Sequence, residues 1–110
     1  MKRYCLTLDL RADAGLIAEY IEYHKEGWPE IHRSIRDAGV LDMQIYELGG
    51  LLFMIMDTED DFTFDRKAAM DAANPRVQEW ETLMAKFQDV GPDADFGAKW
   101  KLMEQIFQLR

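Results

Sequence analysis

The sequence predicts an α+β fold, an antiparallel sheet with helices packed on one of its faces. Three features carry that expectation. Residues 3–10 alternate between apolar and polar side chains, Gly49-Gly50 separates two strand-like runs, and the segments between them repeat their apolar residues at helical spacing. The formal charge is −8 over 110 residues, with 48% apolar side chains, as expected of one globular unit rather than a disordered chain.

The elements follow in order. Tyr4, Leu6, Leu8 and Leu10 fall on one face of the first strand, and Arg3, Cys5, Thr7 and Asp9 on the other. Asp13 is placed to cap a helix whose apolar positions are Leu16, Ile17, Tyr20, Ile21 and His24. Gly27 ends that helix, and Trp28-Pro29-Glu30 restarts it, because proline is tolerated in a first helical turn but not inside. Ile31, Ile35 and Ala38 continue the stripe to Gly39. Residues 40–48 and 51–58 read as a hairpin around Gly49-Gly50. In the first of these strands, Leu41, Met43 and Ile45 oppose Asp42, Gln44 and Tyr46.

Asp60 and Asp61 open the next predicted helix, with Phe62, Arg66, Ala69, Met70 and Ala73 at helical spacing, and Asn74-Pro75 breaks it. A third helical piece turns Val77, Trp80, Leu83, Met84 and Phe87 inward. Residues 88–98 read as a loop, and Lys101 to Leu109 as a last strand. The order strand, helix, strand, strand, helix, strand is the split βαβ pattern of ferredoxin-like folds. Such a sheet has one bare face, which a second copy or a closing pocket commonly buries.

Charge and composition exclude several function classes. A net charge of −8 disfavours nucleic acid and anionic membrane surfaces, both of which need clustered Lys and Arg. The single cysteine, Cys5, cannot pair within the chain, as suits a reducing cytoplasm. Lys2, Arg3, Asp9 and Arg11 leave no apolar signal segment in residues 1–15, and no apolar run approaches the roughly 18 residues of a membrane span. The expectation is one cytoplasmic domain over residues 1–110 with neither nucleic acid nor membrane as partner.

No phosphate-binding glycine loop, nucleophile elbow or paired-cysteine motif is present. His24 and His32 are separated by Pro29 and make a poor metal pair, and Asp93-Ala94-Asp95-Phe96-Gly97 with Glu104 lacks the turn glycine of a calcium loop. No metal or cofactor is expected. Tyr20 and His24 lie one helical turn apart and share a face, and histidine exchanges protons near neutrality. The helix C-terminus at His24 favours its charged form. The plain alternative is a partly buried histidine satisfied by a carbonyl, beside core aromatics.

Tyr46 is either a substrate-facing hydroxyl or a surface tyrosine, and Asp57 either a second acid or a strand-end residue. Trp80 is either core or a flat wall for sugar C–H surfaces, and Glu81, one position off the helical stripe, is either a ligand or solvated. Taken together, these residues describe an aromatic-walled pocket with a neutral-pH proton carrier, suited to proton transfer on a small polar molecule.

The run Tyr20-Ile21-Glu22-Tyr23-His24-Lys25-Glu26-Gly27-Trp28-Pro29-Glu30 resembles the signature of the L-rhamnose mutarotases, a Tyr-x-x-x-His turn followed by a Trp-Pro-Glu helix start. The resemblance continues through Ile45-Tyr46, Leu51-Leu52-Phe53, Trp80 and Glu104-Gln105-Ile106-Phe107. It implies a homodimeric α/β-barrel built of ferredoxin-like protomers, with the terminal strand packing across the dimer. The implied activity is cofactor-free interconversion of the α and β anomers of a 6-deoxy-L-sugar.

By position, His24 matches the family's catalytic acid, and Tyr20 and Tyr46 match its substrate-contacting tyrosines. Trp80 matches the first residue of a Trp-Trp pair lining the sugar site, and Glu81 stands at the second. A charged acceptor in place of a flat apolar wall brings L-fucose into consideration beside L-rhamnose. Tyr20, Tyr46 and Asp57 are the candidates for the group hydrogen-bonding the second sugar oxygen. A reading from a different class is a ferredoxin-like small-molecule binding domain or a cofactor-free monooxygenase, both of which use similar aromatic pockets.

Overall fold

The computed structural model describes residues 1–90 and 99–109. The chain runs β1 (Lys2–Asp9), α1 (Ala14–Glu26), α2 (Pro29–Asp37), β2 (Val40–Leu48), β3 (Leu51–Thr58), α3 (Phe64–Ala72), α4 (Pro75–Ala85) and β4 (Lys101–Leu102). The four strands form one antiparallel sheet in the order β2-β3-β1-β4. This is the ferredoxin-like arrangement, and the sheet is open, with β2 and β4 as edges.

Local chemistry accounts for most boundaries. Asp13 caps α1 by accepting from the Leu16 amide at 3.0 Å. Gly27 closes α1 at φ +65°, its N–H reaching the Tyr23 carbonyl at 3.0 Å. Pro29 then starts α2. Gly49 and Gly50 both take positive φ, which a two-residue hairpin connecting twisted strands requires. Asn74 caps α4 ahead of Pro75, its side chain accepting from Arg76 and Val77.

The helices cover the face formed by Leu6 and Leu8 of β1 and Leu52, Met54 and Met56 of β3. Val77, Trp80 and Met84 of α4, Tyr20 of α1 and Ile31 of α2 complete the core, with Phe87 just beyond α4. Among the described residues no helix covers the opposite face, and Tyr46, Leu48 and Leu51 stand exposed along it.

Four expectations are corrected. The helix expected from Asp60 begins at Phe64, because the Thr63 hydroxyl is the cap that accepts from the Arg66 amide, and Phe62 is buried in the turn before it. Leu41 does not continue the Met43–Ile45 face, because a bulge between Val40 and Asp42 shifts the register and leaves it exposed. Gln88 is not in an open loop: it is buried and bridges Leu10, while the Arg11 amide bonds the Phe87 carbonyl and the Asp89 amide bonds Asp9.

The fourth correction is the last strand, which spans Lys101–Leu102 rather than 101–109. After the Met103 amide bonds Cys5, the chain leaves the sheet, and Ile106, Phe107 and Leu109 are exposed at 91%, 75% and 83%. The calcium-like stretch at 93–97, and most of the expected 88–98 loop, lie outside the described residues.

Candidate active site

Between the helices and the sheet lies a cleft of about 800 Å³, within the range of small-molecule sites. Tyr20, His24, Trp28, Trp80, Glu81, Gln88 and Trp100 are among its lining residues, with Met43, Ile45, Met54 and Met56 contributed by the sheet. Four of the six side chains singled out from sequence therefore meet here: Tyr20, His24, Trp80 and Glu81.

The other two do not. Tyr46 and Asp57 are absent from the cleft lining and belong to the uncovered sheet face. Tyr46 is 57% exposed and donates to Gln44 Oε1 at 3.1 Å. Asp57 is paired with Arg3 through two bonds of 2.7 and 3.0 Å, which hold its carboxyl below the usual carboxylate range. The physical reason is the period of the strand. Met43 and Ile45 point to the helices, so Gln44 and Tyr46 point away.

His24 stands in the last turn of α1, stacked on the Tyr20 ring at 4.2 Å between centroids and edge-on to Trp80 at 5.4 Å. Its Nδ1 lies 2.9 Å from the Tyr20 carbonyl oxygen. A carbonyl only accepts, so Nδ1 carries the proton and, in the neutral ring, the lone pair is at Nε2. Burial pushes the imidazole below its ordinary value, and the bond to the Tyr20 carbonyl offsets this only in part. The ring therefore rests neutral at pH 7. The helix terminus does not keep it charged, because loss of hydration outweighs the dipole.

Tyr20 is buried, and burial raises its phenol well above the ordinary value, so the hydroxyl stays protonated. Trp28 packs edge-on to Trp80 at 5.0 Å and carries the Arg76 guanidinium 3.8 Å above its own ring. Gly27 sits at the same rim. A Cβ there would lie 2.5 Å from Nε2 of the exposed His32 side chain, which can turn aside, so it is the φ of +65° that calls for glycine.

Lys99, Gln88 and Trp100 are among the residues of the cleft region that were not singled out from sequence. Lys99 is buried and donates from Nζ to Gln88 Oε1 at 2.9 Å, to the Glu81 carbonyl at 3.3 Å and to Glu81 Oε2 at 3.5 Å. Burial raises the Glu81 carboxyl, opposed by Lys99 and Lys67. Trp100 packs against both core clusters and lines the cleft. The available signal was a Lys-Trp pair just before a strand, where an isolated charge beside an indole has no reason to be read as buried.

The arrangement offers a neutral base at Nε2, a protonated phenol, three indoles and a carboxylate within one cleft. That set suits proton transfer on a polyhydroxylated molecule with an apolar face.

Comparison with known proteins agrees with this chemistry. Residues 3–109 match the family described as L-rhamnose mutarotase. An L-fucose mutarotase from Xanthomonas campestris pv. campestris is 42% identical over 111 aligned positions, covering 99% of this chain and 89% of its relative. An L-rhamnose mutarotase from Phocaeicola vulgatus is 33% identical, covering 84% and 86% of the two chains. The crystal structure of an L-rhamnose mutarotase from Formosa agariphila superposes with a TM-score of 0.75 over the full length of both chains, at 23% identity.

Proposed function

The chain belongs to the L-rhamnose mutarotase family, and from that premise we propose its substrate, its chemistry and its assembly. As a member it is a sugar mutarotase, an isomerase acting at the anomeric carbon. The substrate proposed is L-fucose. The observation that carries this choice is Glu81 beside Trp80 in the cleft, a carboxylate acceptor next to an indole wall, and the 42%-identical L-fucose mutarotase supports it.

Mutarotation opens the hemiacetal, turns the aldehyde about C1–C2 and closes it on the other face. In the proposed mechanism, His24 Nε2 takes the proton of the anomeric hydroxyl while the C1–ring-oxygen bond breaks. The Tyr20 phenol gives its proton to the departing ring oxygen. On closure the ring hydroxyl returns a proton to Tyr20 as it attacks C1, and His24 protonates the carbonyl oxygen, so both groups end as they began. Trp80 packs on the C–H face of the sugar. No cofactor enters these steps. The neutral His24 and the protonated Tyr20 both support this division of labour.

The protein is proposed to act as a homodimer in which the segment after Leu102 crosses to a second copy. Ile106, Phe107 and Leu109 on that segment, and the uncovered sheet face, leave apolar surface for such a contact.

The test is anomer exchange by saturation-transfer NMR on L-fucose and L-rhamnose. Magnetisation should pass between the α and β anomeric protons faster for L-fucose, and the transfer should vanish with His24→Ala. Faster exchange of L-rhamnose would overturn the choice of sugar. Undiminished exchange in the variant would overturn the role of His24.

A further inference from the structure

The mechanism above uses His24 and Tyr20 and leaves a buried ammonium unexplained. A lysine in the interior is costly unless its hydrogen bonds are met, and Lys99 donates to two polar side chains of the cleft wall, Glu81 and Gln88. An ammonium has donors and no acceptor. The Gln88 oxygen must therefore face Lys99, as its 2.9 Å contact does, and the Gln88 amino group is turned the other way, on the cleft wall that Gln88 shares with Tyr20. The reverse orientation would set N–H groups against the ammonium.

We propose that Lys99 is a positioning residue that fixes the hydrogen-bond polarity of the cleft, holding Glu81 as the acceptor and Gln88 as the donor that together read the stereochemistry of the sugar's hydroxyls. The proposal rests on the mutarotase reading and extends it to substrate selection. L-fucose and L-rhamnose differ by inversion at C2 and C4, so the cis pair of hydroxyls lies at C3–C4 in one and at C2–C3 in the other. A site of fixed polarity satisfies one of these patterns and leaves its own groups unpaired against the other, which is how hydrogen-bonding pockets discriminate strongly.

The experiment has one arm that needs no turnover and one that does. In wild-type protein, the Gln88 side-chain amide protons should show NOEs to the Tyr20 ring, and Lys99→Met should weaken them as the amide becomes free to turn. Absence of these NOEs in the wild type would overturn the proposal whether or not the protein turns over sugar. In the second arm, Kd and exchange rate are measured for L-fucose and L-rhamnose with wild type, Lys99→Met and Gln88→Leu. Both variants should weaken binding of the preferred sugar about tenfold while changing the other sugar little, so that discrimination collapses.

A merely structural lysine would lower the melting temperature and leave the ratio of the two sugars untouched, and that result would overturn the assignment. Should Lys99→Met not fold, Gln88→Leu carries the same comparison. No exchange by the wild type on either sugar would instead overturn the mutarotase reading, with the amide orientation still decided by the first arm.

Discussion

Replacing His24 by asparagine isolates the lone pair at Nε2. The asparagine amide nitrogen falls near the position of Nδ1, so the bond to the Tyr20 carbonyl, 2.9 Å in the native protein, has a donor in both proteins. What disappears is the basic nitrogen facing the cleft. A positioned general base contributes about 10²–10⁴-fold, so anomer exchange should fall by that factor, equivalent to roughly 2.7–5.4 kcal/mol at about 1.36 kcal/mol per decade.

The native enzyme should also lose activity on acidification, since a base acts only unprotonated, with a midpoint below the ordinary histidine value of 6.5 because burial lowers it. Stability carries the same sign. The unfolded chain takes up the proton first as pH falls below 6.5, so the native state weakens progressively from there down to the folded-state value and not above it. In His24→Asn, both the acid limb of the exchange rate and this share of the stability loss should be absent. The assays are saturation-transfer NMR from pH 5 to 8, flanking the ordinary value by roughly 1.5 units, and urea unfolding over the same range. Exchange within about threefold of native, or an unchanged acid limb in the variant, would refute the assignment of Nε2 as the base.

Gly27→Ala should destabilise the protein by about 1–2 kcal/mol from its left-handed backbone alone, with a further cost as the new methyl displaces His32, and urea unfolding measures it. A loss below about 0.5 kcal/mol would contradict the positive-φ backbone at Gly27. Ile106→Lys with Phe107→Lys places charges on side chains that are 91% and 75% exposed in one chain. Sedimentation should then report the mass of one chain where the native protein gives two, and an unchanged mass would remove the terminal segment from the interface.

Legibility in the sequence followed how local the determining forces are. The alternation of Tyr4, Leu6, Leu8 and Leu10, the Gly49-Gly50 turn and the Asp13, Pro29 and Asn74-Pro75 boundaries were readable because each is settled within a few residues by sterics and capping. The start of α3 was not, since Asp60, Asp61 and Thr63 are all competent caps and the burial of Phe62 decides between them. The extent of β4 was not either. Its composition reads as strand throughout, but only Lys101 and Leu102 find a ladder partner in β1. At the site, the helical spacing put Tyr20 and His24 on one face and Trp80 on the inward stripe of α4, as observed.

Sequence alone thus determined the split βαβ order, the helix-facing side of β1 and of the Met43–Ile45 stretch of β2, and the pairing of Tyr20 with His24, because periods of two and 3.6 residues are properties of the backbone. The side of the sheet that carries the cleft was decided by tertiary structure, which places Tyr46 and Asp57 outside the cleft lining and Glu81 on it. The protonation of His24 was decided there too, because desolvation depends on what Trp80 and Tyr20 cover. Lys99 is the clearest case. Its meaning lies in contacts to Gln88 and Glu81, 11 and 18 residues away, and no local pattern reports the burial of a charge by residues that distant.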